Sequence, residues 1–312
     1  MKILITGGLG LLGGRLGTYL QSKGHSVTLA TRRNFLTIQP LNFTDIKIID
    51  WNSSSKLEKL CKSNDLVIHS AGSSAKEFES NPDELIQNSS LNTKNLVEAA
   101  INVGVKSFIY LSSAHVYNPN MEGIIDEDSP TTNKHPYARS HLAAENEILC
   151  YRNAEMIEIK ILRLSNCFGY PVFNNPNAWL LIANDLCRQA ALRGSLILNS
   201  NINIQRDFLP IEALCKTLSY LLKKNSMDEK QIIFNIGSGI TLTLFQLAER
   251  IQKVSKDILG FTPDLHTKDT ANNLTNNPFS FKSKFINISK IKFEALMDQE
   301  LKRSIKHFKN EL

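Results

Sequence analysis

No stretch of this sequence stays apolar for the ~18 residues that a membrane-spanning helix needs, so a transmembrane role is not expected. The first strand-like run begins at Lys2, which leaves no room for a signal peptide ahead of it. Cysteine is scarce: the five residues (Cys61, Cys150, Cys167, Cys187, Cys215) are odd in number and show no metal-type pairing. That usage argues against a disulfide-stapled secreted domain and suits reduced thiols in a cytosol. A cytoplasmic location is therefore expected, and the sequon Asn273-Leu274-Thr275 reads as a by-product of asparagine-rich composition. Basic clusters are missing too. The net charge is +6, but Lys and Arg are scattered and no basic run is interleaved with aromatics. No nucleic-acid partner is expected, since a phosphate-bearing small ligand explains the surplus equally well.

What is present is ordinary in bulk and informative in its order. A chain of 312 residues, 42% hydrophobic and 21% charged, fits one large globular domain or two intimately packed ones. Short apolar runs at 2–6 (KILIT), 26–31 (SVTLAT), 46–50 (IKIID), 65–71 (DLVIHSA), 107–113 (SFIYLSS) and 158–164 (EIKILRL) read as buried strands. Between several of them lie helix-period positions such as Leu12, Leu16, Tyr19, Leu20 and Leu85, Leu91, Leu96, Ala99, Ala100. This alternation predicts an α/β fold with a Rossmann-type, doubly wound parallel sheet carrying helices on both faces. From about Cys167 the rhythm loosens into a Pro/Asn loop (Pro171 to Asn177), a helix to Gly194, a short strand and a helix near 212–224. Residues 234–239 (FNIGSG) precede another helix, a last helical stretch covers about 288–308, and 269–278 (DTANNLTNNP) reads as a loop. The second half has too little strand to stand alone. The expected organisation is a dinucleotide-binding domain over 1–166 and a smaller C-terminal α/β substrate-binding lobe over 167–312, some of whose segments return to the first sheet.

The stretch TGGLGLLGGRL (6–16) follows the first strand directly and opens the first helix. Gly7, Gly10 and Gly13 have the spacing in which the first glycine permits a tight turn, the second admits a pyrophosphate and the third packs helix on strand. The pyrophosphate would sit at the positive end of the helix, at Leu11 and Leu12. An NAD site wants a carboxylate at the end of the second strand, where this chain has Ala30-Thr31-Arg32-Arg33. Two guanidinium groups suit a 2′-phosphate, so NADP is the expected cofactor and NAD the lesser candidate. Asp50 ends a strand and is placed to accept from the adenine amino group, with Trp51 beside it and Ala71 at the end of the fourth strand as further lining residues. Farther on, PYARSHLAAENE (136–147) opens with a good helix-starting proline, and Tyr137 and His141 fall on one helical face. Taken alone, that pair reads as a packed tyrosine with a solvated histidine one turn on.

The motifs taken together resemble the extended short-chain dehydrogenase/reductases of the NAD(P)-dependent epimerase/dehydratase type, most of whose members act on nucleotide sugars. The resemblance runs nearly end to end, through TGGLGLLG, DLVIHSAG, LNTKNLVEAA (91–100), SSAHVY (112–117), PYARSHLAAE, LRLSNCFGYP (162–171), QRDFLPIEAL (205–214) and NIGSG (235–239). It implies that Ser113 is the catalytic Ser/Thr, Tyr137 the catalytic tyrosine, and Asn166 and Arg206 holders of the substrate's nucleoside diphosphate. A hydride would move between nicotinamide C4 and a sugar carbon while Tyr137 transfers the proton on the attached oxygen. Ser113 would support the charge developing on that oxygen, and Arg206 would offer its planar fork to phosphate. The resemblance also implies a homodimer, built on helices near 82–103 and 137–153.

Two departures matter. The family's Y-x-x-x-K is here Tyr137-Ala-Arg-Ser-His141, which puts a mostly neutral imidazole where a fixed positive charge normally lowers the tyrosine pKa. His141 remains at a catalytic position, able to bond the ribose. The Asp-Glu pair that follows the catalytic Thr in 4,6-dehydratases is replaced by Ala114 and His115, which argues against elimination. His115 reads as a substrate contact or a packing residue, and Trp179 as a base-stacking or, better, a core residue. The leading reading is an NADPH-dependent reductase of a keto-sugar nucleotide; the others are a nucleotide-sugar epimerase with bound NAD and a catalytically silent NADP-binding sensor.

Overall fold

The computed structural model describes residues 1–33, 45–73, 77–153, 156–173, 176–223, 231–268, 278–286 and 291–310. The sequon at 273–275, most of the asparagine-rich loop and the start of the expected last helix lie outside them. The strands, in chain order, are β1 (Lys2–Thr6), β2 (Ser26–Thr31), β3 (Ile46–Ile48), β4 (Leu66–His69), β5 (Ser107–Ser113), β6 (Gly123–Ile125) and β7 (Glu158–Leu164). They continue with β8 (Asn166–Phe168), β9 (Ser195–Leu198), β10 (Gln205–Pro210), β11 (Ile233–Ile236), β12 (Thr241–Thr243), β13 (Asp264–Thr267) and β14 (Phe279–Phe281). The helices are α1 (Leu11–Ser22), α2 (Ser54–Cys61), α3 (Pro82–Asn102), α4 (Pro136–Leu149), α5 (Ile182–Arg193), α6 (Ile211–Lys223), α7 (Leu244–Leu259) and α8 (Phe293–Lys309).

Seven strands form one parallel sheet in the order β11-β7-β5-β4-β1-β2-β3. Its strands are apolar without interruption because helices cover both faces. Ile3, Leu4 and Ile5 are all fully buried, yet they alternate between two cores. Ile3 and Ile5 face α1 and α6 through Leu16, Leu20, Leu214 and Leu218. Leu4, with Val67 and Phe108, faces α2, α3 and α4 through Leu57, Leu96, Val97, Ala144 and Ile148. The sequence-predicted strands are all present, and β11 adds an edge strand from the second half of the chain, with Phe234 and Ile236 buried. A third core, with Phe168, Leu186, Phe208, Leu247 and Leu301, joins α5, α7 and α8 to the small sheets β12-β10-β8 and β13-β9. Pairing of β14 with β6 lies beside it.

The strand order reverses between β1 and β4, the switch point where open α/β sheets bind ligands at the carboxyl ends of their strands. Two buried ion pairs fix the parts around that crevice. Glu145 of α4 accepts from Arg163 Nε at 3.1 Å and Nη2 at 2.7 Å, and from the Ser112 hydroxyl at 2.5 Å. Arg15 of α1 meets Glu300 of α8 through two bonds of 2.5 and 3.0 Å and lies 4.2 Å above the Tyr170 ring. Removing one partner of such a pair costs about 3–5 kcal/mol, because the other charge stays buried. Glu145→Ala is therefore expected to lower the unfolding free energy by about that amount in a urea titration. Asp257→Ala, which breaks an exposed pair with Lys302, should leave the midpoint unmoved.

Candidate functional site

Backbone contacts shape the dinucleotide end of the crevice. Gly7 turns with φ +67°, and a Cβ there would come within 2.8 Å of the Ala71 nitrogen on the loop after β4. At Gly13 a Cβ would sit 2.3 Å from the Gly7 carbonyl, so α1 rests directly on the turn. Gly10 is the N-cap of α1 and supplies no side-chain cap, which leaves the N–H groups of Leu11 and Leu12 directed at the crevice. Such a cradle fits a pyrophosphate.

The outer part of this end differs from its sequence reading. Thr31 is buried, and its hydroxyl accepts from the Arg33 backbone at 3.0 Å. Arg32 and Arg33 are exposed. The tripeptide has no carboxylate of its own, but Glu77 arrives in a 3₁₀ turn and takes the Arg32 guanidinium at 3.2 Å. Asp50 is engaged locally, accepting from the Asn52 backbone at 3.1 Å and Lys56 Nζ at 2.9 Å. Trp51 packs on the α2–α3 side of the sheet, its ring 5.8 Å from that of His69.

At the tyrosine end, Pro136 starts α4 and the His135 ring caps it by accepting from the Tyr137 backbone at 3.2 Å. Tyr137 and His141 then lie one turn apart, ring centroids 4.7 Å distant and edge-on. The Ser113 hydroxyl at the end of β5 is hydrogen-bonded to the Tyr137 phenol. Burial pushes the phenol above its ordinary range, with the Ser113 bond pulling it back. Burial lowers His141 to about 4, with His115 adding to the effect. The packed-tyrosine, solvated-histidine alternative is thereby set aside, since the His141 ring is only partly exposed and packs edge-on against Tyr137. Sequence reading missed Tyr110, whose hydroxyl lies 2.9 Å from His141 Nδ1. The available signal was polar Tyr110 and Ser112 alternating on the strand face that α4 covers.

His115 meets Tyr137 from the other side, ring centroids 5.9 Å apart. Burial and then the nearby Arg206 lower it to about 4, against a hydrogen bond that the ring donates to Asn166. Asn166 also donates Nδ2 to the Asp207 carbonyl at 3.0 Å, so its amide braces β8 on β10 and holds His115. Arg206 has a different character. Its guanidinium is partly buried, donates to the Gln205 carbonyl at 3.0 Å, and has no carboxylate in salt-bridge range among the described residues. Trp179 belongs to the lobe core, edge-on to Phe308 at 4.6 Å. Among the described residues no cluster of His, Cys, Asp or Glu could hold a metal, and no helix is long and apolar enough to cross a membrane.

A parallel sheet with a glycine-walled, uncapped helix N-terminus at its switch point defines a dinucleotide-binding α/β protein. The chain belongs to the NAD dependent epimerase/dehydratase family, whose model matches residues 3–237, and it is an enzyme of that kind. A dTDP-glucose 4,6-dehydratase of Streptomyces niveus is 23% identical over 281 residues, 85% of this chain and 81% of that protein. Among solved structures, a UDP-N-acetylglucosamine 4-epimerase from Methanobrevibacter ruminantium M1 superposes with a TM-score of 0.77 at 23% identity, covering 100% of this chain and 99% of that one. MoeE5, solved with UDP-glucuronic acid and NAD, gives 0.76 at 21% identity with 100% of both chains covered. At these identities the structures establish the fold.

The histidines give the molecule a definite acid response. His69 is buried, its Nδ1 2.7 Å from the Thr6 hydroxyl and its Nε2 3.1 Å from that of Thr93, and burial lowers it to about 3. His69, His115 and His141 are thus neutral when folded but bind protons below about pH 6.5 when unfolded. The stability they contribute is fully present above pH 6.5 and is lost as pH falls from there through 4 toward 3. Urea unfolding at a series of pH values should show this loss, at up to about 1.4 kcal/mol per pH unit for His69 alone. A stability flat between pH 6.5 and 4 would contradict the neutral buried rings.

Proposed function

We propose that this enzyme is an NADPH-dependent reductase of a keto-sugar carried on a nucleoside diphosphate. One observation carries the reading: the ring 4.7 Å from Tyr137, at the position where the family resemblance leads one to expect lysine, is a neutral imidazole. No fixed positive charge favours tyrosinate, and burial keeps the phenol protonated at pH 7. A protonated phenol is ready to reduce a carbonyl, whereas a reaction that begins by oxidising an alcohol needs tyrosinate first. When bound, NADPH would supply the hydride that the carbonyl carbon takes up. Tyr137 donates its proton to the carbonyl oxygen, and Ser113 hydrogen-bonds the same oxygen as charge develops there. Arg206, without a carboxylate partner among the described residues, keeps its charge for the diphosphate, a feature that a silent NADP-binding sensor would not need. Ala114 and His115 leave no carboxylate pair for proton transfer at carbon, so elimination is not the reaction.

In this reading Leu11, Leu12 and the glycines hold the pyrophosphate, and Arg32 and Arg33 meet the 2′-phosphate. The exposed Arg32–Glu77 pair is worth about 0–1 kcal/mol and gives way to phosphate bonds of about 1.5–3 kcal/mol each. α3 and α4 pack side by side as the shared bundle of a homodimer, with Leu91 exposed on α3. A second reading, an epimerase that retains NAD, draws on Glu77, a carboxylate at the end where an NAD ribose would lie, and on the NAD in the MoeE5 structure.

Cofactor titration separates the two. NADPH should bind the wild type at least about tenfold more tightly than NADH, a difference of about 1.4 kcal/mol. Arg32→Ala/Arg33→Ala should abolish that preference; equal affinities in the wild type would end the NADP reading. Steady-state kinetics tests the proton donor. Tyr137→Phe should lower kcat by about 10²–10⁴-fold with cofactor binding little changed, whereas His141→Lys should preserve or raise turnover by restoring a positive charge. Loss of both turnover and cofactor in His141→Lys would show a pocket rebuilt around imidazole.

A further inference from the structure

On β5, Phe108, Tyr110 and Ser112 point to the sheet face that α4 covers, where an apolar set is the rule. Ser112 is accounted for by its bond to Glu145. Tyr110 is 3% exposed, and its hydroxyl has one hydrogen-bond partner among the described residues, His141 Nδ1 at 2.9 Å. Phenylalanine would fill the same space without a buried polar atom to satisfy.

That bond has two conceivable polarities. A phenol is a good donor and a poor acceptor, and the unprotonated nitrogen of an imidazole is a good acceptor. If Nδ1–H donated instead, the Tyr110 proton would be left in a buried place with no acceptor, at the full desolvation cost of an unmade hydrogen bond. The Tyr110 O–H therefore donates to Nδ1, and the neutral ring carries its own proton on Nε2. Nε2 takes no partner from the described residues, and the partly exposed ring stands edge-on to Tyr137.

We infer that Tyr110 is a positioning residue for the reaction, fixing His141 as its Nε2–H tautomer so that this position still presents an N–H donor to the crevice. Lysine carries three donors and no acceptor, so it needs no such help. A neutral imidazole carries one of each, and the wrong tautomer would turn a lone pair toward the site. The hydroxyl beneath the ring removes that choice. The effect on rate rests on the reductase reading above; the tautomer does not.

Two measurements test the inference. In the first, nitrogen-15 NMR of ring-labelled protein is recorded near pH 7, the His141 signals being assigned by their loss in His141→Lys. The expected pattern is a protonated Nε2 and an unprotonated Nδ1; a protonated Nδ1, or two tautomers in exchange, would overturn the proposal. It needs neither substrate nor a Tyr110 variant, so it stands even if Tyr110→Phe does not fold or the keto-sugar reading fails. The second is a double-mutant cycle on turnover. Tyr110→Phe should lower kcat about tenfold in the wild type, with KM for substrate nearly constant, and less than twofold in a His141→Lys background. Equal losses in both backgrounds would mark Tyr110 as a packing residue and refute the inference.

Discussion

The buried bond between Glu145 and Arg163 is what the geometry of the crevice depends on. Arg163 lies on β7 and Glu145 on α4, so the pair anchors the helix to the sheet at one depth and one rotation. Its reach is wide: Ser112 of β5 bonds the same carboxylate, and Arg163 Nη1 also donates to the Tyr117 hydroxyl at 3.0 Å. Tyr117 in turn donates to Asn235 on β11 at 2.7 Å. Desolvating two charges is offset because their hydrogen-bonding capacity is used across three strands and a helix. Tyr137, His141 and Glu145 recur at four-residue steps along α4, so the clamp at Glu145 also aims the two rings above it.

The electrostatics of the crevice follow from burial. Three groups that titrate in water, Tyr137, His115 and His141, are all uncharged at neutral pH because the surroundings disfavour their ionised forms. Beside this neutral lining stands the guanidinium of Arg206, whose pKa burial lowers without removing its charge. In the proposed reaction the diphosphate takes its orientation from Arg206, while proton transfer at Tyr137 proceeds among neutral donors.

Much of this was legible in the sequence, for identifiable reasons. Strands buried on both faces must be apolar throughout, so β1, β2, β5 and β7 carry the ends that their composition predicts. Steric exclusion makes the glycine turn readable, since no other residue fits at Gly7 or Gly13. Helical spacing brings Tyr137 to His141. What escaped prediction was single polar contacts between distant segments. Glu77 reaches Arg32 across 45 residues, and Tyr110 reaches His141 across 31. Asp50 and Asn166 escaped in the opposite sense: each looks free in sequence but is engaged, Asp50 by Lys56 and the Asn52 backbone, Asn166 by Asp207 and His115. Such contacts have no periodicity, and only the folded chain brings them together.

The pair of Arg15 and Glu300 joins segments 285 residues apart. Contacts of that span are the slowest to form, since a long loop must close before anything compensates the lost chain entropy. Without α8 the Arg15 guanidinium would keep Tyr170 and the more distant Glu212 but lose its two-bond carboxylate partner. Because α8 lies near the end of the chain, α1 can acquire this support only after the residues of α8 have been synthesised. The helix that follows the glycine turn is thus held by residues from the far end of the chain.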